Sequence, residues 1–130
     1  MFQEPSARVD ELAYRVIGCA IEVHRHLGPG LLEGAYQQAL MHELQLQELD
    51  VQRHVRIPVD YKGKTVATYE LDFLVEEELV VELKSIERFA PIHRAQLLTY
   101  LQISRLRLGL LINFNVMLLQ QGIRRVIRSA

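Results

Sequence analysis

The chain has 130 residues, 49% hydrophobic and 24% charged, a balance that fits a globular protein and excludes a disordered one. Its length suits one domain with one core, since a second domain would be too small to bury much apolar surface. With 15 Lys and Arg against 16 Asp and Glu, the net charge of −1 argues against a chain that grips duplex nucleic acid over a broad basic face, so any such contact would be local, weak or aided by a metal.

The first residues, Met1-Phe2-Gln3-Glu4-Pro5, lack the basic and apolar regions of a secretory signal. Ser6 can cap a helix whose first turn carries Asp10 and Glu11. Val9, Leu12, Ala13, Val16, Ala20, Val23 and Leu27 follow at helical spacing, and Gly28-Pro29-Gly30 ends the helix. Cys19, the one cysteine, lies within this pattern. It excludes a disulfide framework or a zinc cluster of cysteines within the chain and reads as a small buried hydrophobe. A second helix is predicted from about Leu32 to Leu49, with Leu32, Tyr36, Leu40 and Leu44 (or Met41) on one stripe.

The period then changes to two. Val51 to Val59 reads as a strand with Val55, Ile57 and Val59 on one face, and Tyr61-Lys62-Gly63-Lys64 as a turn. Val66 to Val75 and Leu79 to Leu83 are the next strands. Pro91 opens a helix from about Ile92 to Ile103. Arg107 to Phe114 reads as a strand buried on both faces, and Arg124 to Ile127 as a last short strand. The longest apolar run, Leu106 to Leu119, is broken by Arg107, Asn113 and Asn115 and is too short and polar to span a bilayer. A reducing cytoplasm is the expected location. The order of elements is that of an α+β (mixed α/β) fold: two helices, three antiparallel strands, a helix and a strand, with a small mixed sheet flanked by helices.

If Glu76-Glu77-Glu78 is the hairpin loop, Val75 faces Leu79, Phe73 faces Val81 and Asp72 faces Glu82. Opposed residues share one face, with Cβ atoms about 4.5–5.5 Å apart. Lys84 points to the face of Glu82, while Leu71, Phe73, Val81 and Leu83 are expected to point into the core. Two facing carboxylates repel unless a cation lies between them, and Mg²⁺ suits two carboxylates and several waters. A neighbouring Lys can polarise a water or steady charge on a phosphate. Glu-x-Lys alone more often marks a solvated strand face with a weak ion pair, and a one-residue slip in register would separate the acids.

Gly30-Leu31-Leu32-Glu33-Gly34-Ala35-Tyr36, preceded by Ile21-Glu22-Val23-His24, resembles the signature of the GxxExxY protein family. The resemblance runs from about Asp10 to Arg128 and takes in Leu71-Asp72-Phe73-Leu74-Val75, Val81-Glu82-Leu83-Lys84, Ala90-Pro91-Ile92-His93, Ala95-Gln96-Leu97-Leu98-Thr99-Tyr100-Leu101 and Leu111-Ile112-Asn113-Phe114-Asn115. That family is similar in turn to the PD-(D/E)XK nuclease superfamily. The likeness implies a restriction-endonuclease-like core, one nuclease-like domain over residues 1–130, and catalytic residues Glu33, Asp72, Glu82 and Lys84, the three acids holding Mg²⁺ or Mn²⁺. Gln96 and Tyr100 match a Gln-x-x-x-Tyr element of RecB-like nucleases and share one helix face. Leu71 stands where the superfamily usually has Pro before the Asp. The implied activity is hydrolysis of DNA or RNA phosphodiesters. The alternative is a catalytically inactive module of the same fold that binds nucleic acid or a protein partner.

Tyr36 reads as a packing residue with a bonded hydroxyl that supports the site. His93, near the start of its helix, could meet a phosphate or the metal site, or bond the helix terminus. His24 and His26 point in different directions and do not share a metal. Glu76-Glu77-Glu78 reads as a solvated tip. Lys62, Lys64, Arg88 and Arg94, or Arg124, Arg125 and Arg128, offer local positive rims to a phosphate backbone. The apolar residues Leu106, Leu108, Leu110, Val116, Leu118 and Leu119 suggest a homodimer.

Overall fold

The computed structural model describes residues 5–129; Met1 to Glu4, most of the stretch on which the expectation about a secretory signal rests, and Ala130 lie outside the described residues. Helix α1 spans Ala7–Leu27 and α2 Glu33–Leu46. Strands β1, β2 and β3 span Val51–Tyr61, Lys64–Val75 and Leu79–Lys84. Helix α3, Pro91–Ser104, leads to β4, Leu108–Asn113, and a 3-10 turn at Leu119–Gly122 leads to β5, Ile123–Ile127. The strands lie in sequence order in one mixed sheet. Only β3 and β4 are parallel, joined by α3, and every other neighbouring pair is antiparallel. No helix among the described residues is long and apolar enough to cross a membrane.

The ends of the elements follow local chemistry. Ser6 Oγ accepts from the Val9 N–H at 3.2 Å, and Gly28 stops α1 at φ 68°, a value that favours glycine. Lys62 and Gly63 both have positive φ, as a two-residue hairpin loop demands. Leu32 does not join the buried stripe of α2: it precedes the helix in extended backbone and is 85% exposed. Leu27, at the last turn of α1, is also exposed. Helix α2 stops at Leu46 because Glu48 turns left-handed, yet Leu49 folds back into the core with its N–H on Leu44 O.

The sheet divides the apolar interior in two. On one face, Tyr36, Leu40 and Leu44 of α2 and the inner side of α1 pack against Leu79, Val81 and Leu83. On the other, Leu97, Tyr100 and Leu101 of α3 cover Val80 and Leu111. Strand β4 is buried along its whole length, as its apolar run requires. This accounts for much of the apolar surplus expected to drive a homodimer: Leu108, Leu110 and Leu119 are covered within the chain, Leu106 and Val116 are partly covered, and Leu118 stays exposed.

One expectation about facing fails in an informative place. Phe73 packs with α1 and α2, but Leu71 packs with Ile57 and α3. The β1–β2 register runs through Arg53–Phe73 and Val55–Leu71 and skips His54 and Asp72 between them. His54 has φ 54°, so the strand rotates there and its alternation changes sides. The rotation falls opposite Asp72.

Candidate metal centre

The β2–β3 hairpin has the register that a three-residue loop dictates: Val75 pairs with Leu79, Leu74 with Val80 and Phe73 with Val81. The pairing ends there. At the next position the side chains take over the backbone donors. The Asp72 N–H donates to Glu82 Oε1 at 3.3 Å, and the Leu83 N–H donates to Asp72 Oδ2 at 2.8 Å. The two carboxylates are thereby held side by side where the strands part.

Glu82 is 6% exposed. Burial first, then the neighbouring Asp72 charge and a side-chain hydrogen bond to Asp72, push its carboxyl up to about 9, against the opposing pull of Lys84 and an Asp72 backbone donor. Glu33, the first residue of α2, is half-buried, and its carboxyl is also raised, by desolvation and then by Asp72. Lys84 and the Gln37 amide oppose that rise. The four residues implied by the resemblance therefore share one electrostatic neighbourhood. They do not form a closed cage: among the described residues, no three Asp, Glu, His or Cys side chains are gathered closely enough to hold an ion together.

Glu33 owes its place to a pinned loop. Tyr36, fully buried and stacked on Phe114 at 4.5 Å, donates its hydroxyl to Gly28 O at 2.6 Å and accepts from the Leu31 N–H at 3.1 Å. Ser85 Oγ, just past Lys84, donates to Leu31 O at 2.6 Å. Both backbone groups of Leu31 are thus tied, one through α2 and one to the end of β3. Tyr36 is not among the acids; it holds the loop that delivers one of them.

Gln37 and Arg53 were not singled out from the sequence. Gln37 Nε2 reaches Glu33 Oε1 at 3.5 Å, and Arg53 Nη2 donates to Gln37 Oε1 at 3.1 Å. A guanidinium can only donate, so it claims the amide oxygen and turns the amide NH₂ toward the carboxylate. Arg53 lies over the Phe73 ring at 5.8 Å, and its Nε is buried without a hydrogen-bond partner. The signals were present: Gln37 follows Glu33 by four residues, and Arg53 interrupts the apolar alternation of β1.

On α3, Tyr100 is buried beside the acids. Its hydroxyl is held above its ordinary value by burial, then by the charge of Glu82, with smaller contributions from Tyr69 and Asp72. Gln96, one turn earlier, is exposed on the same flank. His93 is elsewhere: its Nδ1 accepts from the Ala90 N–H at 2.9 Å and its own N–H donates to Ala90 O, which closes the start of α3. His24 Nε2 bonds Val116 O, and His26 pairs with Glu22. Asn113 is buried and satisfied by Ile86 and Asn115 backbone groups. Two expected surface clusters stay largely exposed but make contacts within the chain. Glu76 bonds the Asp50 N–H and Glu78 pairs with Arg8. Arg125 pairs with Asp10, Arg124 lies over Phe89, and Arg128 bonds Leu106 O.

The donor set fits a hard divalent cation at Asp72 and Glu82: two oxygen ligands lie together, and one of them is destabilised as an anion until positive charge arrives. A mixed sheet between helices, with an acid on one hairpin strand, Glu-x-Lys on the next and a third acid on a helix, defines the restriction-endonuclease-like class. The chain belongs to the PD-(D/E)XK nuclease superfamily, whose family model matches residues 10–126. No curated protein and no solved structure matches it.

Proposed function

We propose that this protein is a metal-dependent phosphodiesterase acting on nucleic acid, within the GxxExxY branch suggested by Gly30, Glu33 and Tyr36. The observation that carries the reading is the Asp72–Glu82 pair, locked by reciprocal hydrogen bonds to backbone donors with Lys84 on the same strand as Glu82. A solvated strand face would need none of that burial.

Asp72 and Glu82 would hold Mg²⁺ or Mn²⁺, with Glu33 supplying a third negative charge beside them. When bound, such an ion polarises a phosphoryl oxygen and the attacking water. The Lys84 ammonium, half-buried at the end of β3, would steady charge that develops on the phosphate. The Tyr100 hydroxyl, kept protonated by its surroundings, can donate to a phosphate oxygen. Gln96 offers an amide to the substrate from the same helix face.

The test is cleavage of single- and double-stranded DNA and RNA with Mg²⁺ or Mn²⁺. Activity is expected in the wild type and lost in Glu82→Ala; equal behaviour of the two rejects the enzymatic reading. The second reading is an inactive binding module, favoured by the open arrangement of the three acids. Calorimetric titration with Mn²⁺ separates the two, since the module requires no binding dependent on Asp72.

A further inference from the structure

Beside the acid pair runs a groove of about 240 Å³ between β2 and α3, lined by Tyr69, Ile92, Ala95, Gln96, Thr99 and Tyr100. No lining side chain is charged, and the Thr99 hydroxyl is already spent on Ala95 O. The Tyr69 and Tyr100 rings are 5.8 Å apart and tilted by 40°, so they form an angled aromatic wall. Ile92 is 67% exposed and Tyr69 44%, yet both belong to this one surface. A larger recess of about 400 Å³ is walled by Arg15, Glu22 and Glu43 and touches none of the site residues.

We propose that this groove receives an unpaired nucleobase of a single strand whose phosphodiester lies at Asp72, Glu82 and Lys84, so that the substrate is single-stranded rather than duplex. The inference rests on the phosphodiesterase reading and names its substrate class. Continuity argues for the occupant: Tyr100 is a wall of the groove and packs in one cluster with Leu71, the neighbour of Asp72, and Val80, two residues before Glu82, so a strand whose phosphodiester reaches the acids has a base within reach of the groove. The surface chemistry matches a base, which presents a flat uncharged face to an aromatic ring and a polar edge to an amide such as Gln96. A paired base is enclosed in its stack and cannot reach the groove without being extruded. The net charge of −1 agrees, because stacking then supplies affinity that a basic face would otherwise provide.

The test uses an oligodeoxynucleotide carrying 2-aminopurine, with Ca²⁺ in place of Mn²⁺ to permit binding without turnover. The single strand should bind about tenfold or more tighter than the same sequence in a blunt duplex, with its fluorescence quenched on binding. Tyr69→Ala should lose about tenfold in affinity together with the quenching, and Tyr69→Phe should retain both. Ile92→Asp, which puts a charge in the groove on an exposed helix turn, should lose affinity similarly, and Mn²⁺ binding should be unchanged in all three. Equal binding of duplex and single strand, or indifference to both Tyr69→Ala and Ile92→Asp, overturns the proposal even if cleavage still depends on Glu82. A dimer in sedimentation that Ile92→Asp dissociates also overturns it, in favour of a second copy of the chain. Cleavage that survives Glu82→Ala removes the phosphodiesterase reading itself, and the groove proposal with it, through a separate assay.

Discussion

Asp72 and Glu82 each accept a backbone N–H from the opposite strand: Glu82 Oε1 takes that of Asp72, and Asp72 Oδ2 takes that of Leu83. The exchange explains how a small domain keeps two carboxylates together. The bonds that a regular ladder would give to carbonyls go to acids instead, and one acid stays protonated to limit the repulsion.

Cation binding should therefore release a proton. With its carboxyl near 9, Glu82 is neutral at pH 7, and it must ionise to ligate. Titration with Mn²⁺ in buffers of different ionisation enthalpy should show release approaching one proton per ion at neutral pH. Affinity should rise close to tenfold per pH unit from about pH 6 to 8, and Glu82→Gln should abolish both effects. Binding with no proton release would show that the pair is already fully ionised.

Metal-free stability should fall as pH rises. The Glu82 carboxyl is raised on folding from its ordinary 4.5 to about 9, so the folded state retains a proton that the unfolded chain gives up. The stabilising contribution is complete below about pH 4.5 and is lost progressively toward pH 9, by at most about 1.4 kcal/mol per pH unit. Melting in EDTA should show this decline between pH 5 and 8. Mn²⁺ should flatten it, and Glu82→Gln, neutral at every pH, should remove the part due to this residue and melt higher than the wild type at pH 8.

The chain Arg53–Gln37–Glu33 should act on the metal site without forming part of it. Gln37→Leu removes the amide that faces Glu33, and loss of such supporting partners costs roughly 10–100-fold in metal affinity. Arg53→Met keeps much of the packing on Phe73 but frees Gln37 to turn. It should weaken Mn²⁺ binding nearly as much while leaving thermal stability equal or higher, since it also removes a buried Nε that lacks a partner. A large drop in melting temperature with unchanged Mn²⁺ affinity would show that Arg53 serves packing alone.

Much of this was legible in the residues. Period-two alternation and a run of three glutamates were enough to read the β2–β3 register from Val75–Leu79 to Phe73–Val81, and Asp72 and Glu82 follow one step beyond it, linked by side-chain rather than ladder bonds. The turn at Lys62-Gly63 and the caps of α1 were equally local signals. What could not be read is long-range. The rotation at His54 depends on a left-handed residue inside a strand, which no propensity announces. The 3-10 turn ends at a position with no room for a side chain, since a Cβ on Gly122 would come within 2.1 Å of Asn113 O, a close approach that only the folded chain reveals. Glu33 could be joined to the acids only by resemblance, because the contacts that place it, from Ser85 to Leu31 and from Tyr36 to Gly28, cross elements distant in sequence or close a loop with no periodic pattern.

Those contacts give the tyrosine of the Gly-x-x-Glu-x-x-Tyr motif a defined task. Tyr36→Phe keeps the stack on Phe114 but leaves Gly28 O and the Leu31 N–H without their partner. Loss of stability of about 1–3 kcal/mol is expected, measured by urea unfolding. The effect on Mn²⁺ affinity should be smaller, because Ser85 still holds Leu31 from the other side. Ser85→Ala alone should be mild for the same reason. The double variant releases both backbone groups of Leu31, so the first turn of α2 loses its anchor and Mn²⁺ affinity should fall by more than the two single effects combined. Strict additivity would show that the two contacts do not act on one loop, and that Glu33 is placed by α2 packing alone.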